Sequence, residues 1–207
     1  MRNVFGSYLL IFFVLGLSAC ASTQLVSTWR AEGDIKPVKN ILVIGISDNA
    51  RDRRIFEEEF VRQLNTHGVK AAVSYEKMPD SEKISRESVQ KAIQGTDFDA
   101  VLVTHYEGTN EETVYRPGTT YSVGFRDAGY YGYYGGVYND IHTPGYYVKY
   151  KYVFLETSVY SVADSKPIWS ARSKTTNPEN INKDILELSK AVIASLKKNG
   201  VIATSNN

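Results

Sequence analysis

The chain of 207 residues contains one cysteine, three histidines, two tryptophans and six prolines, and its formal charge is only +1. Each scarcity removes a class of explanation. One cysteine cannot close an internal disulfide, so the fold must rest on its core. The histidines, His67, His105 and His142, form no His-x-x-His and have no acidic ligand at metal spacing, so no metal site is expected. A balanced charge leaves no basic excess for phosphates, which argues against a nucleic-acid partner. Without a Gly-x-Ser-x-Gly elbow, a phosphate loop or a dinucleotide fingerprint, the sequence promotes no cofactor and no catalytic residue, and we expect a non-enzyme. Finally, the apolar run from Tyr8 to Leu17 is too short for a comfortable transmembrane helix.

That run reads instead as the middle of an export signal, with Arg2 in a short polar region ahead of it. Its end, Leu17-Ser18-Ala19-Cys20, resembles the bacterial lipobox. The resemblance implies a signal peptide over 1–19, and a Cys20 that carries palmitate-like acyl chains and becomes the first mature residue. More than one chain is needed for stable anchoring, and lipoproteins supply them. The alternative is a plain secretory signal that leaves Cys20 a free thiol, which is unusual in an oxidising compartment. Ala21 stands where an inner-membrane retention signal shows Asp, so resemblance to sorted lipoproteins implies the outer membrane, facing the periplasm. Residues 20–39 are polar and are expected to form a tether, with Trp29 packing back on the domain.

The domain is expected over 40–202, with a disordered tail at 203–207. Asn40 to Ile46 is a strand apolar on both faces, and Asp48 or Asn49 then caps a helix with Phe56, Phe60, Val61 and Leu64 inward and Gly68 as its stop. Val69 to Tyr75 is a second strand. Ser85 caps a second helix ending at Gly95, and Phe98 to Tyr106 is a third strand. Regular patterning lapses over 107–145 and returns in strands Tyr146 to Val162 and Ile168 to Thr175, with Trp169 inward. A last helix is predicted with Asn177 as cap, Pro178 first, and Ile181, Ile185, Leu188, Val192 and Leu196 as its stripe. The predicted fold class is therefore α/β: a single domain, β-α-β-α-β-insertion-β-β-α, with a mixed sheet packed by helices.

Several short motifs, in order, resemble an uncharacterised group of proteobacterial lipoproteins: Ser27 to Trp29, Val43 to Gly45, Arg53 with Phe56 and Glu57, Gly68 to Ala71 with Ser74 and Tyr75, and Asp99 to Thr104. The layout is more loosely similar to the small α/β domains of lipoproteins that activate penicillin-binding proteins, of the curli secretion channel subunit and of TolB. These likenesses imply location, fold and protein binding, and transfer no catalytic residue.

Three regions are candidate sites. Open α/β sheets collect ligands at the carboxyl ends of parallel strands, here Ser47 to Arg54 and His105 to Glu107. Arg51, Arg53 and Arg54 there read as an anion or partner patch, or as solvated partners of Glu57 and Glu58. An unrecognised enzyme site around Asp48 and His105 is a third reading of the same end. His67 is expected to sit at a helix C-terminus as a partly charged ring. In the insertion, Tyr115 to Gly118 has a type II turn signature, predicting that 113–115 pairs with 119–123. Twelve of the fifteen tyrosines lie between Tyr115 and Tyr160, a clustering that core filling does not account for. Tyr130, Tyr131, Tyr133, Tyr134 and Tyr138 head the list, in the stretch GYYGYYGGVYND. Such rings suit an envelope protein or the sugar faces of peptidoglycan, or they cluster as a loop with no partner.

Overall fold

The structure is a computed structural model that describes residues 22–78, 84–121 and 141–203. The expected lipidation site Cys20 and the insertion tyrosines 130, 131, 133, 134 and 138 lie outside the described residues. The elements are β1 (Thr23–Arg30), β2 (Asn40–Ile46), α1 (Ala50–Thr66), β3 (Lys70–Val73), α2 (Arg86–Ile93), β4 (Ala100–Arg116), β5 (Thr119–Tyr121), β6 (Ile141–Thr143), β7 (Tyr146–Ser161), β8 (Pro167–Thr176) and α3 (Ile181–Lys198). Six strands form one mixed sheet in the order β1-β8-β7-β4-β2-β3, and β5 pairs with β6 in a separate ribbon. The expected α/β class is the observed one.

Strand β2 lies between two parallel neighbours, β3 and β4, and its residues alternate between two cores. Ile41 and Val43 join Phe56, Phe60 and Leu64 of α1 and Leu188, Val192 and Leu196 of α3. Leu42 and Ile44 face the other way, with Met78 and Ala92 of α2. A strand covered on both faces has to be apolar throughout, which explains the run Ile-Leu-Val-Ile. Gly45 ends it because a side chain has no room: a Cβ there would stand 2.9 Å from Cδ1 of Phe56. Asn49, not Asp48, caps α1, accepting from the backbone N–H groups of Arg51 and Asp52.

Four local expectations are corrected. Residues 23–30 do not form a tether but an edge strand, antiparallel to β8. The Thr23 and Thr175 hydroxyls meet at 2.9 Å in the core, and Leu25 packs beside them. Trp29 does not pack back; it pairs with Ser170 on the opposite face and is 49% exposed. The cap of α3 is Asn180, whose side chain accepts from Asn182 and Lys183. Asn177 instead takes a left-handed φ of 48° and uses its side-chain oxygen to accept the Lys151 N–H. Asparagine tolerates that conformation better than most residues.

The insertion is the fourth. Much of it is strand: β4 and β7 stay paired from Ala100↔Ser161 to Arg116↔Tyr146. Residues 113–115 therefore pair with 147–149, and Thr119 to Tyr121 pairs with β6. Gly118 has no positive φ, so the expected type II turn does not form.

Candidate functional site

The ladder registers bring several features to one end of the sheet. β2 ends there at Ile46 beside His105, and β8 ends at Thr176. The first residues of α1 and α3 follow directly, and a cleft of about 500 Å³ lies between them over the sheet. Phe56, Val153, Leu155, Ile185 and Leu188 give it apolar walls, while Asp52, Asn180 and Asp184 supply polar groups. The volume and the mixed lining suit a small ligand with one polar end. This is the place that the carboxyl-end rule indicates.

Arg53 does not share a surface with Arg51 and Arg54. Arg53 is buried, and its Nε donates to Oε1 of Glu57 at 2.9 Å. Its Nη2 donates to the Ser74 hydroxyl at 2.7 Å and to the Met78 carbonyl. Glu57 is fully buried and also accepts from the N–H groups of Gly45, Ser74 and Tyr75 and from the Ser74 hydroxyl. These bonds tie α1 to the ends of β2 and β3, so the pair is part of the framework. The expected pairing of Arg53 with Glu57 is therefore present, but the pair is buried and not solvated, and Arg53 is closed to an external anion. Arg54 lies over the Tyr75 ring, 5.3 Å from its centroid, and Arg51 is exposed at the start of α1.

His105 lines the cleft, and its Nε2 is 3.8 Å from Glu156. Asp48 is exposed in the preceding loop and does not line the cleft. Among the described residues no three His, Cys, Asp or Glu side chains are grouped as a metal site would need. His67 is the C-cap of α1, and the Lys197 ammonium reaches its Nδ1 at 3.0 Å. Burial, and then the Lys197 charge, push its pKa down. Both causes work against the partly charged ring that was expected.

Beyond Tyr152↔Thr176, the last pair with β8, strands β4 and β7 continue alone as a two-stranded arm. It runs for six pairs, Glu111↔Lys151 to Arg116↔Tyr146, the first braced by Asn177. Its aromatic side chains stand in the open. Tyr115 and Tyr147 meet with ring centroids 5.0 Å apart, Tyr150 stacks parallel to Tyr152, and Tyr147 is 72% exposed. Arg116 donates to the Tyr150 hydroxyl, and the Tyr152 hydroxyl donates to Glu112. The sequence reading gave one side of this arm, since Tyr146 to Val162 is the predicted strand, and missed the other: β4 runs on to Arg116, whereas the prediction ends it at Tyr106.

At the same end, Glu187 of α3 holds the start of β1. Its Oε2 accepts from the N–H and hydroxyl of Ser22, at 2.8 and 2.9 Å, and from the Thr23 N–H. Burial alone would raise the Glu187 pKa, but these bonds outweigh it and hold it low. Asp184, next to Ser22 and lining the cleft, has its pKa raised by burial.

No family model matches the sequence, and no curated protein does. Among solved structures the fold is similar to the PelC dodecamer from Paraburkholderia phytofirmans in two crystal forms. The identities are 11% and 10% and the TM-scores 0.46 and 0.45, over 86% and 88% of this chain and 98% and 99% of that one. It is also similar to lipoprotein GNA1162 from Neisseria meningitidis, at 12% identity and a TM-score of 0.41, over 77% of this chain and 99% of the other. No argument about function rests on likenesses of this size. Among the described residues, no helix is long and apolar enough to cross a membrane.

Proposed function

We propose that the chain is an outer-membrane lipoprotein on the periplasmic face, anchored through Cys20, and that it works by docking an envelope protein and not by catalysis. The observation that carries the docking reading is the arm. A two-stranded ribbon is at best marginally stable in water, yet this one extends six pairs past its last neighbouring strand and leaves its tyrosines exposed. Rings that are apolar on their faces and polar at their tips favour recognition, at small entropy cost. The lipobox-like Leu17 to Cys20 supports the anchor. The framework role of Arg53 moves the docking surface away from the arginines and onto the arm with its insertion.

The test is crosslinking in cells that express the chain with and without residues 129–138. Loss of one specific crosslinked envelope protein is expected, and an unchanged set of partners overturns the docking reading. Peptidoglycan is the alternative occupant of the same tyrosines, and cosedimentation with purified sacculi above a non-binding control would favour it. Radiolabelled palmitate incorporation that disappears in Cys20→Ser tests the anchor separately.

A further inference from the structure

The anchor and the arm leave the domain from the same end. Ser22 accepts the Thr176 N–H, which places it level with Tyr152 and Asn110, at the root of the arm. β1 runs away from that end, from Thr23 beside Thr175 to Arg30 beside Trp169. β1 therefore begins at the end of the sheet toward which β4 extends. Glu187 fixes this point from α3 with three hydrogen bonds.

Lengths then decide what the arm meets. Only Ala21 separates Ser22 from Cys20, so the leash spans at most about 7 Å. Six further pairs carry the arm about 20 Å beyond Ser22. Two strand spacings, about 10 Å, separate β1 from β7 sideways. With Cys20 held at a bilayer surface, the body of the domain cannot come between that surface and the arm. Held this close, the arm is within reach of the headgroup layer, which is about 6 Å thick on each side.

The chemistry of the arm fits that layer. Tyr115, Tyr146 and Tyr147 are exposed rings, and tyrosine collects where an apolar face and a wet tip are both satisfied. Arg116, Lys149 and Lys151 are opposed by Glu111 and Glu112, so the near balance of charge leaves the aromatic rings as the main attraction. The long cationic side chains carry their charges on apolar stems that suit the same depth.

We propose that the arm formed by residues 111–116 and 146–151 is a lipid-interface element that rests in the headgroup region of the membrane holding Cys20. This deepens the lipoprotein reading and rests on it. Any envelope protein is then met at the bilayer surface, by the insertion and by the face of the ribbon that carries Tyr150 and Tyr152, opposite Tyr115 and Tyr147.

The test uses the full lipidated chain in vesicles of phosphatidylethanolamine and phosphatidylglycerol. Tyr147→Cys carries an environment-sensitive fluorophore, and Asp164→Cys, in the turn at the far end of β7, is the reference position. Nitroxide-bearing phospholipid is expected to quench the label at 147 several-fold more than the label at 164, and aqueous iodide the reverse. Equal access of iodide to both positions overturns the proposal. So does a label at 147 that is shielded from iodide yet not reached by the lipid quencher, because it would then be seated against protein. Mass spectrometry of the same sample reads acylation of Cys20. An acylated Cys20 with an unquenched arm defeats the interface proposal alone, whereas an unmodified Cys20 defeats the lipoprotein reading.

Discussion

One strand, β4, passes through two environments. From Ala100 to Thr104 it is enclosed, with β2 and β7 on either side and apolar clusters on both faces. From Glu111 to Arg116 it has only β7, and every residue is exposed or half-exposed. The backbone conformation is the same in both stretches, but what stabilises it differs. In the first the strand is held by burial, and a substitution there is felt throughout the domain. In the second it is held by cross-strand pairs worth a fraction of a kcal/mol each. The molecule combines a buried sheet with an appendage held by its own ladder.

The sharpest way to break this contrast is to cut the buried charge pair. Glu57→Ala removes the buried carboxylate that accepts the Arg53 Nε at 2.9 Å, and a loss of about 3–5 kcal/mol is expected in urea unfolding. Tyr147→Ser on the arm is expected to change the same measurement by less than about 0.5 kcal/mol. Similar costs for the two would remove the distinction between framework and appendage.

Gly45→Ala is the next in size. The added methyl would meet the Phe56 ring inside the core, with an expected cost of about 1–3 kcal/mol in the same unfolding assay. The smallest effect is that of pH. The His67 pKa is lowered in the fold, so the unfolded chain binds the proton more readily, and stability is retained above about pH 6.5 and lost as the pH falls through the folded value. Glu187, also lowered, adds a second loss further into acid, below the ordinary carboxylate range. Asp184, with its raised pKa, acts against Glu187 in that range, so the decline in melting temperature to be resolved is the first, and His67→Gln should flatten it.

Periodicity made most of the sheet legible. The unbroken apolar run of β2 and the spacing of Phe56, Phe60 and Leu64 follow directly from burial on two faces and on one. β1 escaped notice because an edge strand needs few inward residues: Thr23 and Leu25 face the core and a solvent-exposed Trp29 follows. The capping of α3 was misassigned because Asn177 and Asn180 are equally suited to the role, and the bond from Lys151 that claims Asn177 comes from 26 residues away. The cleft was legible as a place, since the carboxyl ends of parallel strands follow from strand order. For Arg53 the pairing with Glu57 was legible from the four-residue spacing, but the burial of the pair was not. Three arginines in four positions look alike until Ser74 and Met78, 21 and 25 residues on, surround one of them.

The hold of Glu187 on Ser22 also has a mechanical consequence. A pull on the chain ahead of Ser22 acts along the axis of β1, and the seven pairs from Thr23↔Thr175 to Arg30↔Trp169 share the load side by side. Bonds loaded in shear yield together, whereas a strand peeled from its end gives them up one at a time. If the chain is anchored through Cys20 as proposed, the edge strand is the part that transmits force between the membrane and the domain, and its resistance to slow extraction is set by the β1–β8 ladder as a whole.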